Sequence, residues 1–272
     1  MPELPEVETT RRGIEVHALG HRIERIVVRE ARLRWPVSPE VASESAGRHI
    51  VAVGRRGKYV SFALEDGGHL LLHLGMSGSV RVVAMTTPPF RHDHVDIVLD
   101  SGRALRLNDP RRFGSLHYIH GDPARHPLLA HLGPEPLDGV LDGDYLHARS
   151  RGRRSAVKAF LMDSRVVVGI GNIYANEALY RARIHPARAA GRISLARYRR
   201  LAEAVKAVLA EAIAAGGTTL RDFTASDGRP GYFRQQLDVY GRAGKPCRRC
   251  GTALTERRLG QRSTVYCPNC QR

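Results

Sequence analysis

The first residues of the chain offer an unusual nucleophile. The sequence begins MPELPE, and removal of Met1 would leave Pro2 with a free secondary α-amine. An α-amino group titrates near pH ~8, so a useful fraction of it is uncharged at neutral pH. Such an amine adds to an aldehyde-like carbon to give an iminium ion, and the Glu3 carboxyl next to it can move protons for the adduct. The structural alternative is that Pro2 and Pro5 stiffen the start of a helix whose dipole Glu3 and Glu6 complement.

Four cysteines near the end of the chain have the spacing of a zinc site. Two residues separate the partners of each pair and sixteen residues separate the pairs, which are Cys247 with Cys250 and Cys267 with Cys270. In a reducing compartment this spacing indicates four thiolates around one structural Zn²⁺, held on a two-stranded ribbon. Five arginines on the ribbon indicate phosphate contacts, with a solvated basic face as the alternative: Arg248, Arg249, Arg257, Arg258 and Arg262.

A glycine-containing segment, Val168–Glu177, is a further candidate site. Gly169 and Gly171 predict a tight turn, after which Asn172 opens a helix. The exposed amides of a helix start bind anions, and Asn172 is expected either to cap the helix or to contact a phosphate itself. From these residues alone, an ordinary turn is an equal alternative.

Three shorter motifs lie at turns or strand ends in the first half of the chain. Lys58 lies in RRGKY, where a solvated loop is the simplest interpretation. Met76 follows an apolar run and is expected in the core. Arg111 and Phe113 place a guanidinium and an aromatic ring at the tip of NDPRRFG, and the neighbouring Arg112 keeps that tip near solvent or nucleic acid.

Charge and hydropathy limit the class of partner. The 272 residues carry a formal net charge of +16, and thirteen Lys or Arg between Arg149 and Arg200 face only Asp163 and Glu177. This imbalance favours nucleic acid over an acidic membrane surface as the partner. No apolar stretch approaches ~20 residues and the N-terminus lacks a signal-peptide pattern, so we expect a cytoplasmic protein without a membrane segment.

Hydrophobic patterns place these motifs on two kinds of structure. Residues 5–19 have helical spacing, whereas apolar and polar residues alternate from about Ile23 to Ile119. This change of period predicts one helix followed by an antiparallel β-sandwich. A Pro/Gly-rich passage from Gly121 to Pro136 indicates a linker. Beyond it the pattern is helical, most clearly from Ser194 to a stop at Gly216-Gly217.

The motifs taken together resemble those of the formamidopyrimidine-DNA glycosylases, a family of bacterial DNA-repair enzymes related to endonuclease VIII. The resemblance runs from MPELPEVET to the last cysteine, in family order and spacing. It includes RGKY, HLGMSG, HDHVD, DPRRFG, GIGNIYA and the four-cysteine ribbon. The resemblance implies an α+β fold with an N-terminal helix and β-sandwich, a helix–two-turn–helix domain and a C-terminal zinc finger.

The resemblance also implies domain boundaries. The catalytic sandwich would occupy residues 1–130, a linker 131–150, the helix–two-turn–helix domain 151–235 and the zinc finger 236–272. Residues 216–233 resemble a mobile loop that closes over an everted base. Its candidate contacts are Thr218, Thr219 and Tyr232.

Residue roles follow from the same resemblance. Pro2 would be the nucleophile and Glu3 the acid/base. Two further catalytic residues, which would hold phosphates beside the damaged nucleotide, are Lys58 and Arg262. Other DNA contacts are implied at His73, His92, Arg111, Asn172 and Lys158. The side chains that would fill the gap in the duplex are Met76, Arg111 and Phe113, with Arg111 facing the orphaned base.

The implied activity is that of a bifunctional glycosylase and abasic-site lyase acting on oxidised purines in double-stranded DNA. Its substrates would be 8-oxoguanine opposite cytosine and formamidopyrimidines, removed through a Pro2 Schiff base and β,δ-elimination. We expect a monomer with one structural zinc, associated with the bacterial nucleoid. One alternative is an endonuclease VIII-like enzyme for oxidised pyrimidines, although Leu4 and the EVET run fit the purine branch better. Another is a non-catalytic DNA-binding paralogue, which would be expected to lose Pro2, Glu3 or Lys58.

Overall fold

The computed structural model of the chain describes residues 2–217 and 237–272. Within these ranges the chain divides into two compact units. The first, residues 2–130, is called the sandwich unit below. The second, residues 131–214 with 237–272, is called the helical unit. None of the helices in the described ranges is both long and apolar enough to cross a membrane.

Two four-stranded antiparallel sheets form the sandwich unit. The strands are β1 (Ile23–Val28), β2 (Ile50–Arg56), β3 (Tyr59–Leu64), β4 (Gly68–His73), β5 (Ser79–Ala84), β6 (Asp93–Leu99), β7 (Arg103–Asn108) and β8 (Ser115–His120). One sheet has the order β1-β6-β7-β5 and the other β2-β3-β4-β8. Alternate side chains of both sheets, among them Phe62, Leu72, Ile97 and Leu105, meet in one buried core. The predicted antiparallel sandwich is therefore confirmed.

The helix that precedes the sheets is α1 (Leu4–Ala18), and a second, short helix is α2 (Glu40–Ser43). Pro5 is tolerated in the first turn of α1 because that turn leaves its amides unused. Val7, Ile14 and Ala18 recur at helical spacing and are buried. Through this face α1 packs on β2, β3 and β5, so the sandwich core fixes the position of α1.

The described residues of the helical unit form four α-helices and a ribbon. They are α3 (Gly143–Ser150), α4 (Val157–Leu161), α5 (Asn172–Arg181) and α6 (Leu195–Ala214), followed by β9 (Thr255–Leu259) and β10 (Arg262–Tyr266). The predicted long helix and two-stranded ribbon are both confirmed. α6 packs on α3 and α5, and α5 also contacts β10. Gly216 follows the last turn of α6 with φ of 76°, a backbone region that favours glycine.

The structure differs from the predicted linker at residues 131–150. Eight of these residues form α3, where the Asp142 side chain accepts a hydrogen bond from the Tyr145 amide at 2.6 Å. Leu141 and Leu146 are fully buried. An eight-residue helix is too short to be stable alone, and contact with α6 stabilises it. The Pro/Gly-rich sequence before α3 suggested a linker, and the sequence alone does not show the packing of α3 on α6.

Candidate active site

The predicted nucleophile and its acid/base partner lie at the start of α1. Pro2 and Glu3 are both buried, which is unusual for an ionisable side chain such as that of Glu3. The Glu3 amide donates to Glu6 Oε2 at 2.8 Å as part of a capping box, and Glu6 is fully buried. The helix start thus holds the backbone of Glu3, and Pro2 is only one peptide bond away. Met1 lies outside the described residues.

Lys58 lies in a two-residue hairpin turn between β2 and β3. Arg56 and Tyr59 are paired across the turn, and Gly57 has φ of 56°, which is typical of the tight turns that join antiparallel strands. The solvated loop suggested by the charge run is therefore wrong. The hairpin presents the half-buried Lys58 from a defined position at the end of two core strands.

His73 ends β4 and packs against Tyr59, with ring centroids 4.7 Å apart and the ring planes tilted by 52°. The Gly75 amide donates to His73 Nδ1 at 3.0 Å, so the neutral ring carries its proton on Nε2. Burial and the positive charges around the ring lower the pKa of His73 to about 4; those charges belong to Lys58, Arg34 and His117. At neutral pH His73 is an uncharged imidazole whose Nε2–H can donate a hydrogen bond.

Two turns carry the three side chains predicted to fill the duplex. Met76 lies in residues 73–78, and Arg111 and Phe113 lie in residues 109–114. Met76 is 38% exposed and Phe113 41%, while the exposed Arg111 guanidinium lies 4.8 Å from the centroid of the Phe113 ring. Interpreting Met76 as a core residue is therefore wrong. The strand ends at His73, and the turn that follows directs Met76 outwards.

His92 precedes β6 and connects to the second of these turns through its backbone. It is half-buried and has φ of 72°, a conformation uncommon for a residue other than glycine. Its carbonyl accepts a hydrogen bond from the Asp109 amide at 3.0 Å. The predicted DNA contacts His92 and Arg111 are thus linked through Asp109, a residue to which sequence analysis gave no role.

Asn172 is the first residue of α5, and Gly171 occupies the capping position. The alternative in which Asn172 caps the helix is therefore wrong. Its Oδ1 atom is buried without a hydrogen-bond partner in the described part of the chain. A buried polar atom in this state costs free energy and calls for an explanation such as a bound ligand. The position at a helix start suits an anionic one.

Arg262 and Lys158, both predicted to contact DNA, have different surroundings. Arg262 is exposed at the first residue of β10, directly after the two-residue turn formed by Gly260 and Gln261. Lys158 is 2% exposed, and its Nζ donates to the Ser263 carbonyl at 2.8 Å and to Thr264 Oγ1 at 2.7 Å. These bonds offset the cost of burying the ammonium. Lys158 therefore supports the strand that carries Arg262 and is not exposed for a direct phosphate contact.

The four cysteines converge at one end of the ribbon, with their Sγ atoms within 4.8 Å of one another. A tetrahedron with Zn–S bonds of about 2.3 Å has edges of about 3.8 Å, so the set fits one Zn²⁺. The Arg249 amide lies 3.4 Å from Cys247 Sγ and the Cys270 amide 3.4 Å from Cys267 Sγ. The Tyr180 hydroxyl lies 3.3 Å from Cys247 Sγ. Such donors stabilise thiolates, and with four protein ligands the site is structural.

Helix α5 connects this ribbon to Asn172. Asn176 Oδ1 accepts a hydrogen bond from the Val265 amide at 3.0 Å. The Glu177 carboxylate accepts three more, at 2.8–3.0 Å, from the amides of Asp238, Val239 and Tyr240. Burial raises the pKa of Glu177 while the three amides oppose that rise. Sequence analysis placed Asn176 and Glu177 within a motif but gave neither a role.

Several arginines that contribute to the charge of the second half have protein partners. Arg181 forms two hydrogen bonds with Glu211, each of 2.7 Å. The Arg249 guanidinium lies 4.7 Å from the centroid of the Tyr180 ring. Arg165 pairs with Asp163 at 3.0 Å. Fewer arginines are therefore available to bind a polyanion than the number of Lys and Arg residues in the sequence indicates.

Sequence profiles of three domains match the chain in order. The formamidopyrimidine-DNA glycosylase N-terminal domain matches residues 1–116, and the H2TH domain of the same enzymes matches residues 132–224. The zinc finger found in FPG and IleRS matches residues 244–272.

Whole proteins are similar to this chain over its full length. A formamidopyrimidine-DNA glycosylase of Alkalilimnicola ehrlichii is 63% identical, and one of Alcanivorax borkumensis is 61% identical, with both chains covered completely in each case. The crystal structure of the MutM (Fpg) protein from Thermus thermophilus has a TM-score of 0.90 at 40% identity, covering 99% of this chain and 98% of that one. A Lactococcus lactis Fpg mutant bound to Fapy-dG containing DNA has a TM-score of 0.93 at 32% identity, with both chains covered completely.

Proposed function

Because the chain belongs to the formamidopyrimidine-DNA glycosylase family, we propose that Pro2 is the nucleophile with which it removes oxidised purines from double-stranded DNA. The protein is a base excision repair glycosylase with abasic-site lyase activity. One observation carries the assignment of Pro2 and Glu3. Both are buried at a helix start whose capping box holds the Glu3 backbone, so the amine and the carboxyl have a defined position.

The reaction begins with attack of the uncharged Pro2 amine on C1′ of the damaged nucleotide. The bond from C1′ to the base breaks, and the base leaves with the bonding electrons and with the proton that the Pro2 nitrogen loses. Glu3 then protonates the sugar oxygen as the ring opens to the iminium ion. The resulting iminium ion withdraws electrons from C2′. Loss of a C2′ proton expels the 3′ phosphate, and a second proton loss expels the 5′ phosphate. Hydrolysis then frees Pro2 and leaves a one-nucleotide gap bounded by phosphates.

Base removal requires a nucleotide that has been rotated out of the duplex, which costs a few kcal/mol. Residues proposed to hold the flanking phosphates lie on hairpin turns, strand ends or a helix start: Lys58, His73, His92, Asn172 and Arg262. Residues proposed to fill the vacated stack are Met76, Arg111 and Phe113, whose exposure supports that role. Such a wedge offsets the loss of base stacking.

One structural zinc, held by the four cysteines, would maintain the ribbon on which Arg262 lies. Lys158 supports the same strand through its hydrogen bonds to the Ser263 carbonyl and Thr264 Oγ1. Its proposed contribution to DNA binding is therefore to position Arg262 and not to contact a phosphate.

The proposed lesion-capping loop, residues 216–233, includes three candidate contacts, Thr218, Thr219 and Tyr232, which lie outside the described residues. They remain a proposal that rests on the resemblance. We also propose that the enzyme acts as a monomer on nucleoid DNA. Sedimentation of the free protein and of its DNA complex would test the first point, and fluorescence imaging of a tagged copy in cells would test the second.

Trapping with borohydride on abasic DNA tests the nucleophile. Reduction of the iminium ion should join the processed protein covalently to DNA, and Pro2→Gly should remove most of the adduct because a primary amine replaces the secondary one. Pro5→Ala is the matched control, since it alters the same helix start and leaves the amine intact. The intact mass of the protein must show loss of Met1. An undiminished adduct from protein that retains Met1, in which Pro2 has no free amine, would exclude Pro2 as the nucleophile.

Lesion choice separates this enzyme from the endonuclease VIII-like alternative. Duplexes that carry 8-oxoguanine opposite cytosine should be cut faster than duplexes that carry thymine glycol. A strong preference for thymine glycol would favour the alternative. Binding to both duplexes without cleavage or a trapped adduct would favour the non-catalytic paralogue.

A further inference from the structure

The two turns that carry the wedge side chains are in direct backbone contact. A Cβ atom at Gly75 would lie 2.3 Å from the carbonyl carbon of Phe113 and 2.4 Å from the amide nitrogen of Gly114. Gly75 also has φ of 64°. Only glycine allows this approach, and residues 73–78 and 109–114 therefore form one unit, called the turn joint below.

A fully buried carboxylate links the two sides of the turn joint. Asp109 Oδ1 accepts a hydrogen bond from Ser77 Oγ at 2.7 Å, and Asp109 Oδ2 accepts one from the Gly114 amide at 2.7 Å. Ser77 Oγ in turn accepts a hydrogen bond from the Arg111 amide at 3.2 Å. The contacts of Asp109 thus reach the residue after Met76, the backbone of Arg111 and the residue after Phe113.

The backbone of Asp109 extends these connections. Its carbonyl lies 2.9 Å from His94 Nε2, and its amide donates to His92. A buried carboxylate is costly unless its oxygens are hydrogen-bonded, so this arrangement favours one geometry of the turn joint. Met76 and Phe113, by contrast, are substantially exposed and are not immobilised by burial.

We infer that Asp109, acting through Ser77, is the positioning residue of the duplex wedge. The inference rests on the proposed function, because it assumes that Met76, Arg111 and Phe113 enter the duplex. Asp109 sets their positions before DNA binds, so that the enzyme does not have to order two turns while it unstacks a base. Asp109 touches neither the sugar nor Pro2 in this assignment and takes no part in bond breaking.

This role predicts an effect that depends on base stacking. Ser77→Ala removes the hydroxyl that joins the two turns, and Asp109→Asn removes the charge and one of the two good acceptors. Each should slow single-turnover cutting at 8-oxoguanine in duplex DNA by about tenfold or more, because each weakens a hydrogen bond to a buried carboxylate. Cutting at an abasic site in a single-stranded oligonucleotide needs no wedge and should stay within about twofold of the original protein.

A 2-aminopurine beside the lesion supplies a second readout, because its fluorescence rises when its neighbour is unstacked. Both variants should delay or reduce this rise in proportion to the loss of duplex cutting. Asp96→Asn is the matched control, since Asp96 is another buried carboxylate of the sandwich unit, bonded to Arg106 and Arg29. It should lower stability without separating the duplex rate from the single-strand rate.

Three results would overturn the inference. The first is unchanged duplex cutting by both variants, and the second is an equal loss on duplex and single-stranded substrates, which would indicate general damage to the site. The third is a rate loss without any change in the 2-aminopurine signal. A failure of the proposed function would look different, because the original protein itself would then form no borohydride adduct on either substrate.

Discussion

The turn joint of the sandwich unit and the zinc ribbon of the helical unit hold the exposed side chains proposed to contact DNA in different ways. The turn joint adjoins a large apolar core, which includes Leu74 and Val80, and is locked by a buried carboxylate and a glycine contact. The ribbon has a small core of six buried residues, two of them cysteines: Tyr180, Val239, Cys247, Leu254, Val265 and Cys267.

The difference shows what each kind of support requires. Hydrogen bonds are sufficient where a core already excludes water and fixes the strand ends, because they only have to choose among a few turn geometries. The outer strand of the ribbon, β9, has mainly exposed residues. The ribbon therefore buries too little apolar surface to fold through hydrophobic burial and hydrogen bonds alone. A metal replaces the missing core. The following predictions test this contrast, starting with the largest effect.

Removal of zinc should unfold the ribbon and leave the sandwich unit folded. Structural zinc in small fingers contributes about 10–16 kcal/mol, and the ribbon loses this contribution when the metal is removed. A chelator, or Cys267→Ser, should make residues 237–272 sensitive to protease and weaken binding to abasic duplex by at least about tenfold, measured by fluorescence anisotropy. Zinc added back should restore the chelated protein but not the variant. A ribbon that stays protease-resistant without metal would break the comparison.

Gly75→Ala should cost about 3 kcal/mol or more of unfolding free energy, because the new methyl group meets main-chain atoms and the residue has a positive φ. Gly67→Ala is the matched control. Gly67 has φ of 83°, but a Cβ there would find no atom within 4 Å, so only the backbone strain of about 1 kcal/mol applies. Urea unfolding measures both. Equal costs would mean that the contact between the turns contributes nothing to stability.

Acid should weaken the turn joint through His73. The pKa of His73 in the folded protein is about 4, against 6.5 for the ordinary side chain. Between pH 6.5 and pH 4, His73 is therefore protonated in the unfolded chain but neutral in the folded one. Stability is therefore complete above pH 6.5 and falls as the pH drops towards 4, by about 2 kcal/mol at pH 5. Protonation of Nδ1 would also break the bond from Gly75.

Comparison with His73→Gln isolates this effect, because every other side chain is the same in both proteins. Urea unfolding at pH 7 and pH 5 should show a larger loss for the original protein than for the variant. The same loss in both would show that His73 is protonated as easily in the folded chain as in the unfolded one.

Tyr180→Phe should have the smallest effect and should be specific to the ribbon. It removes the hydroxyl beside Cys247 Sγ and keeps the ring under Arg249. We expect about 1 kcal/mol of lost stability and roughly tenfold faster zinc transfer to a chromogenic chelator. Tyr198→Phe is the control, since its hydroxyl bonds the Ala190 carbonyl at 2.9 Å. Equal zinc transfer from both variants would remove Tyr180 from the support of the metal site.

Sequence analysis predicted features that depend on periodicity or on ligand spacing. Alternation identified strands such as β1 and β3, because a residue's face in a strand follows from a period of two. The cysteine spacing predicted the zinc site, because two close pairs can reach one tetrahedral ion. Both signals are local and need no knowledge of tertiary contacts.

Features that depend on residues far apart in the sequence could not be predicted from these local signals. Nothing near Lys158 in the sequence shows that its ammonium bonds Ser263, 105 residues away. Met76 was predicted in the core because the apolar run before it does not reveal where the strand ends. Asp109 received no role because Arg111 and Phe113 carry the more evident chemistry of that motif. The available signal was an acid directly before a proline in a turn, a position where Asp commonly bonds nearby amides.

Helix α5 has a consequence for how this protein can vary in length. Within ten residues it places Asn172 at its start, Asn176 on the Val265 amide, Glu177 on residues 238–240 and Tyr180 beside Cys247. One inserted residue would turn everything after it by about 100° and separate these partners at once. Substitutions that keep size and polarity leave the register of α5 intact. A change of length is compatible with the fold only outside α5, because this helix sets a fixed distance between Asn172 and the cysteine cluster.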